Sequence, residues 1–340
     1  MSTDNDFQLF TSLRYDPILV TSLENSRPAL SIVSPSPFYM LAYHQDRMLE
    51  AAQHFEFSKV EKRLEDGKSL HEDLLKRVTD HIEQGGKDEP LKLRILFDKA
   101  ANLTVELTPI PPVPLSTLYP SSFDIASPSQ SHPANSFTPS PLTGGALALG
   151  PTDSLPTNPS TPPSPPEWKL KLDTHPTPSS PFTLLKTTHR AMYDASRSRA
   201  LPSEPADSVY REVMLYNEVR ELTEGTLTSL YLFRGGRWVT PPVGVPSDEF
   251  SGSTLTNDNA DEGELRKPFA GRWGHSVRSA KVGAGGQRGT SRRWALGRGF
   301  CMEEPIGIET VGVGERVWPL VKDEFILMFR SRKNKNKVQK

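Results

Sequence analysis

Asn217-Glu218-Val219-Arg220-Glu221-Leu222-Thr223-Glu224-Gly225-Thr226-Leu227-Thr228-Ser229 joins two runs rich in apolar and aromatic residues, Ser208–Asn217 and Thr226–Phe233. Their composition predicts strands on both sides. Taken alone, the joining stretch reads as a glutamate-rich turn. Just downstream, Gly235-Gly236 predicts a two-residue hairpin turn into a further strand, Arg237–Thr240.

Three other stretches gain interest from their order around this one. Upstream, Leu184-Leu185-Lys186-Thr187-Thr188-His189-Arg190 precedes a helix predicted to start just after Lys186 and to run through Arg199. A lysine behind two leucines is ordinarily no more than a strand end. Further upstream, Tyr43-His44-Gln45-Asp46-Arg47-Met48-Leu49 lies in a helix predicted to begin at Ser36-Pro37, a cap followed by proline at the first helical position. A lone arginine on such a helix is ordinarily a surface residue whose stem covers apolar neighbours. Downstream, Gly285-Gly286-Gln287-Arg288-Gly289-Thr290-Ser291-Arg292 opens a predicted helix, Thr290–Gly299, and matches neither the P-loop nor the dinucleotide fingerprint.

The N-terminal third completes an α+β unit. A second helix is predicted from a capping-box pattern at Ser69-Leu70-His71-Glu72, with Leu70, Leu74, Val78 and Ile82 on one face and Gly85-Gly86 as its stop. Leu91, Leu93, Ile95 and Phe97 alternate with Lys92 and Arg94, and Leu103, Val105 and Leu107 alternate with threonine and glutamate, so two strands flank a turn at Asp98–Asn102. Apolar runs near Ile306–Val313 and Phe325–Phe329 predict the last strands.

Composition sets the boundaries. Of 340 residues, 35% are hydrophobic and 32 are proline, nineteen of these between Pro109 and Pro181. Runs such as PTNPSTPPSPPEW bury too little apolar surface to offset the entropy of ordering them. The expected division is residues 1–115 as an N-terminal α/β domain, 116–166 as a disordered insert, 167–330 as a C-terminal domain with a flexible insert at 244–283, and 331–340 as a basic, solvated tail. Within the second insert, Asn257–Glu262 lacks the glycine and final glutamate of a calcium-binding loop, so no metal site is expected. Forty basic against forty-one acidic residues give no field for nucleic acid or an anionic membrane surface. The single Cys301 fits a reducing compartment, and no apolar run is long enough to span a membrane, so a cytoplasmic protein is expected.

In combination the four stretches resemble a known pattern. Asn217–Ser229 is similar to the N-E-x-x-E-L-T-E-G-S-x-T-N signature of class IV (fold-type IV) aminotransferases, which depend on pyridoxal 5′-phosphate (PLP). Lys186-Thr187-Thr188-His189-Arg190 with Tyr193-Asp194-Ala195 resembles the lysine stretch of the 4-amino-4-deoxychorismate lyase-like members, and Ser12-Leu13-Arg14-Tyr15-Asp16 resembles their opening strand. The order H-x-x-R, lysine, T-E-G, G-x-x-R also agrees. The resemblance implies two α/β domains of the D-amino acid aminotransferase-like fold, with PLP in the cleft between them, and a homodimer. It implies Lys186 as the catalytic, cofactor-bearing lysine and proton shuttle, Glu224 facing the pyridine nitrogen, and Arg47 with Thr290 and Ser291 holding the phosphate. Thr228 is expected behind them. Ser229 stands where the family has asparagine, Thr290-Ser291 where it has an aliphatic residue and threonine, and Val317–Phe325 departs from its C-terminal motif.

Three functional readings follow. The resemblance favours a lyase that converts 4-amino-4-deoxychorismate, a small-molecule substrate, to 4-aminobenzoate and pyruvate on the folate route. The alternatives are a class IV amino-acid transaminase and a catalytically silent relative whose inserts serve protein contacts.

Overall fold

The computed structural model describes residues 7–123, 168–201, 210–243, 286–312, Glu315 and 317–321. Residues 124–166 of the expected Pro-rich insert, the whole second insert, the calcium-like run, the expected strand Phe325–Phe329 and the basic tail lie outside the described residues, whereas residues 116–118, expected to open the disordered insert, belong to a short helix in which Leu118 is buried. The described residues on both sides of 122–165 belong to one compact unit of mixed α/β structure.

The N-terminal part is a three-stranded antiparallel sheet, in the order β1 (Leu9–Tyr15), β2 (Leu91–Phe97), β3 (Leu103–Pro109). Three helices accompany it: α1 (Leu41–His54), α2 (Ser58–Leu64) and α3 (Gly67–Glu83). The alternation read from the sequence decides which face of β2 is covered. Leu91, Leu93, Ile95 and Phe97 are fully buried, while Lys92 is exposed. They meet Met48, Ala52, Leu70, Leu74 and Val78 of the helices in one core.

Two helix starts differ from expectation, for local reasons. The Ser36 hydroxyl accepts from the Phe38 N–H at 3.2 Å, closing a small turn rather than a helix. Phe38 and Tyr39 then bond to β1, with the Tyr39 N–H donating to Arg14 O at 2.9 Å. The chain stays extended until Met40, left-handed at φ 52°, admits α1. The α3 helix starts before Ser69, because the Asp66 carboxylate caps the Lys68 and Ser69 N–H groups at 3.1 Å. Gly85 at φ 97° ends it as expected.

After the short helix α4 (Leu115–Leu118), the C-terminal part builds two more sheets. In one, β4 (Trp168–Leu172) lies parallel to β5 (Tyr210–Tyr216), which pairs antiparallel with β6 (Leu222–Gly225). In the other, the order is β10 (Val317–Val321), β7 (Thr228–Arg234), β8 (Arg237–Thr240), β9 (Met302–Glu303). Gly235 and Gly236, at φ 56° and 77°, make the expected hairpin turn between β7 and β8. Met214, Tyr216, Leu222, Leu230, Leu232 and Val239 form the core of these sheets. On the opposite side of β5, Val213 and Leu215 pack with Tyr193 and Ala200. The run expected as a strand at Ile306–Val313 makes a single bridge, Gly307 to Glu221, and then a 3-10 turn, Ile308–Thr310.

Two helices complete the described elements that concern the site: α5 (Pro181–Leu184) leads into Lys186, and α6 (Ala191–Ala200) follows it. The α6 helix starts five residues past Lys186, later than expected, because residues 186–188 are bonded to the N-terminal strand. Phe10 N–H donates to Lys186 O at 3.3 Å, and Thr188 N–H to Gln8 O at 2.9 Å. The helix α7 (Thr290–Gly297) follows Gly289. Among the described residues no helix is long and apolar enough to cross a membrane.

Two outcomes test this packing. Leu93→Ala, in the middle strand of the N-terminal sheet, is expected to cost about 2–5 kcal/mol in a denaturant titration. Burial pushes the Cys301 thiol up to about 12, so at pH 8 a thiol reagent is expected to label it only after unfolding.

Candidate active site

The glutamate-rich stretch is not a simple turn. Asn217–Glu221 makes the turn between β5 and β6, Leu222–Gly225 is itself a strand buried at every position, and the chain bends again at Thr226-Leu227. A second carboxylate fixes that bend. Glu212, fully buried on β5, accepts from the Thr226 hydroxyl at 2.5 Å and from the Leu227 N–H at 3.0 Å. Its charge is met by Arg197 of α6 at 3.3 Å. Gly225 is required by close approach: a Cβ there would collide with Thr228 Oγ1 and lie 3.0 Å from the Glu212 carboxyl carbon.

Glu224 faces two donors. Its Oε1 accepts from the Tyr193 hydroxyl at 2.6 Å and its Oε2 from the Gln287 N–H at 2.9 Å. The Tyr193 side chain is fully buried, and burial together with the adjacent Glu224 charge pushes its phenol well above its ordinary range. The phenol therefore stays a donor.

Arg47 is 1% exposed, on the face of α1 turned away from solvent. Its guanidinium donates to the Thr11 hydroxyl of β1, and at 3.5 Å to Arg288 O. His44, one turn earlier, contacts Thr11 Oγ1 at 2.7 Å through Nδ1 and Thr290 Oγ1 at 3.4 Å through Nε2. Thr290 and Ser291 are fully buried at the start of α7. The first N–H groups of a helix have no partner within it. Gly289, the N-cap, adds no side chain to cover them.

Lys186 is 6% exposed and sets its ammonium 5.1 Å from the centre of the Phe10 ring. Its backbone holds Phe10, and the next strand residue, Thr11, holds Arg47. Seven residues past Lys186 comes Tyr193, the donor to Glu224. The loop 287–290 ties the remainder together: Gln287 to Glu224, Arg288 to Arg47 and Thr290 to His44. Thr228 begins β7, its hydroxyl buried without a hydrogen-bond partner among the described residues.

Residues 144–246 match the family model for amino-transferase class IV. That stretch, less than half of the chain, is similar to the class IV aminotransferases. No curated protein matches the chain in sequence. Among solved structures, a protein from Mesorhizobium loti described as a putative amino-acid aminotransferase is similar at 14% identity and a TM-score of 0.49, over 95% of this chain and 98% of that one. The 4-amino-4-deoxychorismate lyase from Pseudomonas aeruginosa is similar at 12% identity and a TM-score of 0.44, over 96% of this chain and 82% of its own. A hypothetical aminotransferase from Mycobacterium tuberculosis, with α-ketoglutarate and PMP bound, gives 10% identity and a TM-score of 0.46, over 98% and 86%.

Class IV aminotransferases are PLP-dependent enzymes, and the residues present fit that cofactor. A phosphate calls for a guanidinium, hydroxyls and uncapped helix N–H groups, which Arg47, Thr290, Ser291 and α7 provide. A protonated ring nitrogen calls for a buried carboxylate, which Glu224 provides. A carbonyl calls for a sheltered amine, which Lys186 provides. The orphaned Thr228 hydroxyl gives the same class IV site a further polar atom to be satisfied. Among the described residues no group of three or more His, Cys, Asp or Glu side chains is placed to hold a metal ion.

Tyr193, Thr11 and the Gln287 N–H carry contacts to which the sequence gave no role. Tyr193 was visible inside the lysine motif, but nothing in the spacing pointed it at Glu224. Arg47→Ala is expected to weaken PLP binding at least ~10-fold, measured by absorbance titration of the apoprotein. Tyr193→Phe, which removes one donor from buried Glu224, is expected to cost about 1–3 kcal/mol, read as a lower melting temperature.

Proposed function

We propose that this protein is a PLP-dependent lyase that converts 4-amino-4-deoxychorismate to 4-aminobenzoate and pyruvate. The observation that carries the reading is the pairing of two stretches. The lysine run, which resembles that of lyase-like members, bonds through Lys186 and Thr188 to residues 8–10. Those residues begin the strand that includes Ser12–Tyr15, the second lyase-like stretch.

When bound, PLP supplies an electron sink for the bond broken at the carbon that carries the substrate's amino group. The protein's own work is to orient, shelter and move protons. Glu224, held by Tyr193 and Gln287, keeps a proton at the pyridine nitrogen. Arg47 and the start of α7 hold the phosphate. The Lys186 amine, kept from bulk water beside Phe10, takes the proton from the ring carbon bearing the amino group. The neighbouring C–O bond then breaks, its electron pair leaving with enolpyruvate, and the six-membered ring becomes aromatic. Enolpyruvate takes up the proton to give pyruvate, so substrate equals products atom for atom. Aromatisation drives the step, and the protein mainly positions the reactants. The reading includes a homodimer in the cytoplasm, expected from the family and from the single cysteine.

Incubating the PLP-loaded protein with 4-amino-4-deoxychorismate is expected to release 4-aminobenzoate and pyruvate in equal amounts. Lys186→Ala is expected to lower that rate by at least ~10²-fold. A PLP-loaded wild type no faster than Lys186→Ala would overturn the reading. Conversion of the bound cofactor to its amine form by added amino acids, without 4-aminobenzoate, would replace it with transamination.

A further inference from the structure

Among the buried ion pairs that the mechanism above leaves unused, one lies beside Arg47. Glu50 lies on α1, one turn past Arg47, and accepts from the Arg288 guanidinium across 238 residues of sequence. The two side chains are 4% and 1% exposed. Glu50 Oε2 is buried without a hydrogen-bond partner among the described residues. Burial, reinforced by the like charge of Arg292, pushes the Arg288 guanidinium down to about 9. A buried pair so incompletely satisfied is a poor way to stabilise a fold, because an apolar pair of similar volume avoids the desolvation cost. Its location gives it another use.

His44, Arg47 and Glu50 recur every three residues along one buried side of α1, and all three reach the same four-residue loop. His44 meets Thr290, Arg47 meets the Arg288 carbonyl, and Glu50 meets the Arg288 side chain. Just outside this row, Arg293 of α7 binds Asp46 at 2.7 Å and lies 3.9 Å over the Tyr43 ring.

We propose that Glu50 and Arg288 form a positioning clamp that holds loop 287–290 against α1, with the N-terminus of α7 aimed to receive the cofactor phosphate. The inference rests on the PLP-binding part of the proposed function, not on which reaction follows. Neither residue is catalytic. Their effect passes through Arg47, which needs the Arg288 carbonyl in place, and through Thr290, which needs its helix start in register.

The test compares PLP with pyridoxal, which lacks only the phosphate. Titrations use the full-length apoprotein carrying Glu50→Gln, Arg288→Met or both, with circular dichroism as a check on folding. Each single variant is expected to lose about 10-fold or more in PLP affinity and less than about 2-fold in pyridoxal affinity. The double variant is expected to match the singles rather than multiply their losses, as for two residues acting as one unit. Equal weakening toward both ligands, multiplicative losses, or unchanged PLP affinity would each overturn the clamp. If Arg288→Met does not fold, Glu50→Gln alone decides by its PLP-to-pyridoxal ratio. These are binding measurements, so absence of 4-aminobenzoate formation would remove the lyase reading while the clamp stood or fell separately.

Discussion

Charge taken out of water must be met by charge or by hydrogen bonds, and that requirement organises the interior of this protein. Arg47, Arg288, Lys186, Glu50, Glu212 and Glu224 are all buried or nearly so. None can be placed there by hydrophobic packing. Each is held by contacts that come from distant parts of the chain, so these side chains reach their positions only when the N-terminal sheet, α6 and the loop before α7 come together. The apolar cores bring those elements into proximity. The buried polar contacts select one arrangement among the many that would bury the same apolar surface.

The loop 287–290 is where this selection concentrates. It presents a backbone N–H to Glu224, a carbonyl to Arg47, a guanidinium to Glu50 and a hydroxyl to His44. It has no regular structure of its own before Thr290. A segment of that kind gains its shape from its partners, and here the partners are the residues that would meet the two ends of the cofactor. Ring recognition at Glu224 and phosphate recognition at α7, as the proposed function has them, would therefore be mechanically joined through four consecutive residues.

Local periodicity made much of the fold legible. The alternation of Leu91–Phe97 predicts its buried face residue by residue, and Gly235-Gly236 predicts its turn. Where the sequence misled, a long-range contact had overridden a local signal. Ser36-Pro37 looks like a helix start, but pairing of Phe38 and Tyr39 with β1 postpones the helix to Leu41. Ser69 looks like a cap, but Asp66 caps the Lys68 and Ser69 N–H groups and starts the helix one turn earlier. The site was legible only in combination. Arg47, Lys186, Glu224, Thr290 and Ser291 were found as members of an ordered pattern, because nothing around any single one marks it. Glu50 and Arg288 lay outside that pattern. The one available sign was a charged residue three places beyond Arg47, on the side of α1 that the apolar residues mark as inward.

The departures from the family pattern bear differently on the two ends of the site. At the phosphate end, Thr290-Ser291 replaces an aliphatic residue and threonine, yet an anion at a helix start is held chiefly by backbone N–H groups and the helix dipole. Those do not depend on side-chain identity, and the substitution leaves two hydroxyls at the helix start. Position 229 is less forgiving, because a serine there is shorter than asparagine and brings one polar group instead of two. Ser229 is buried within β7 and opposite Leu320 of β10, so it cannot recover that reach by moving. The chain thus retains the features that seat a phosphorylated cofactor and alters those nearer β7 and β10.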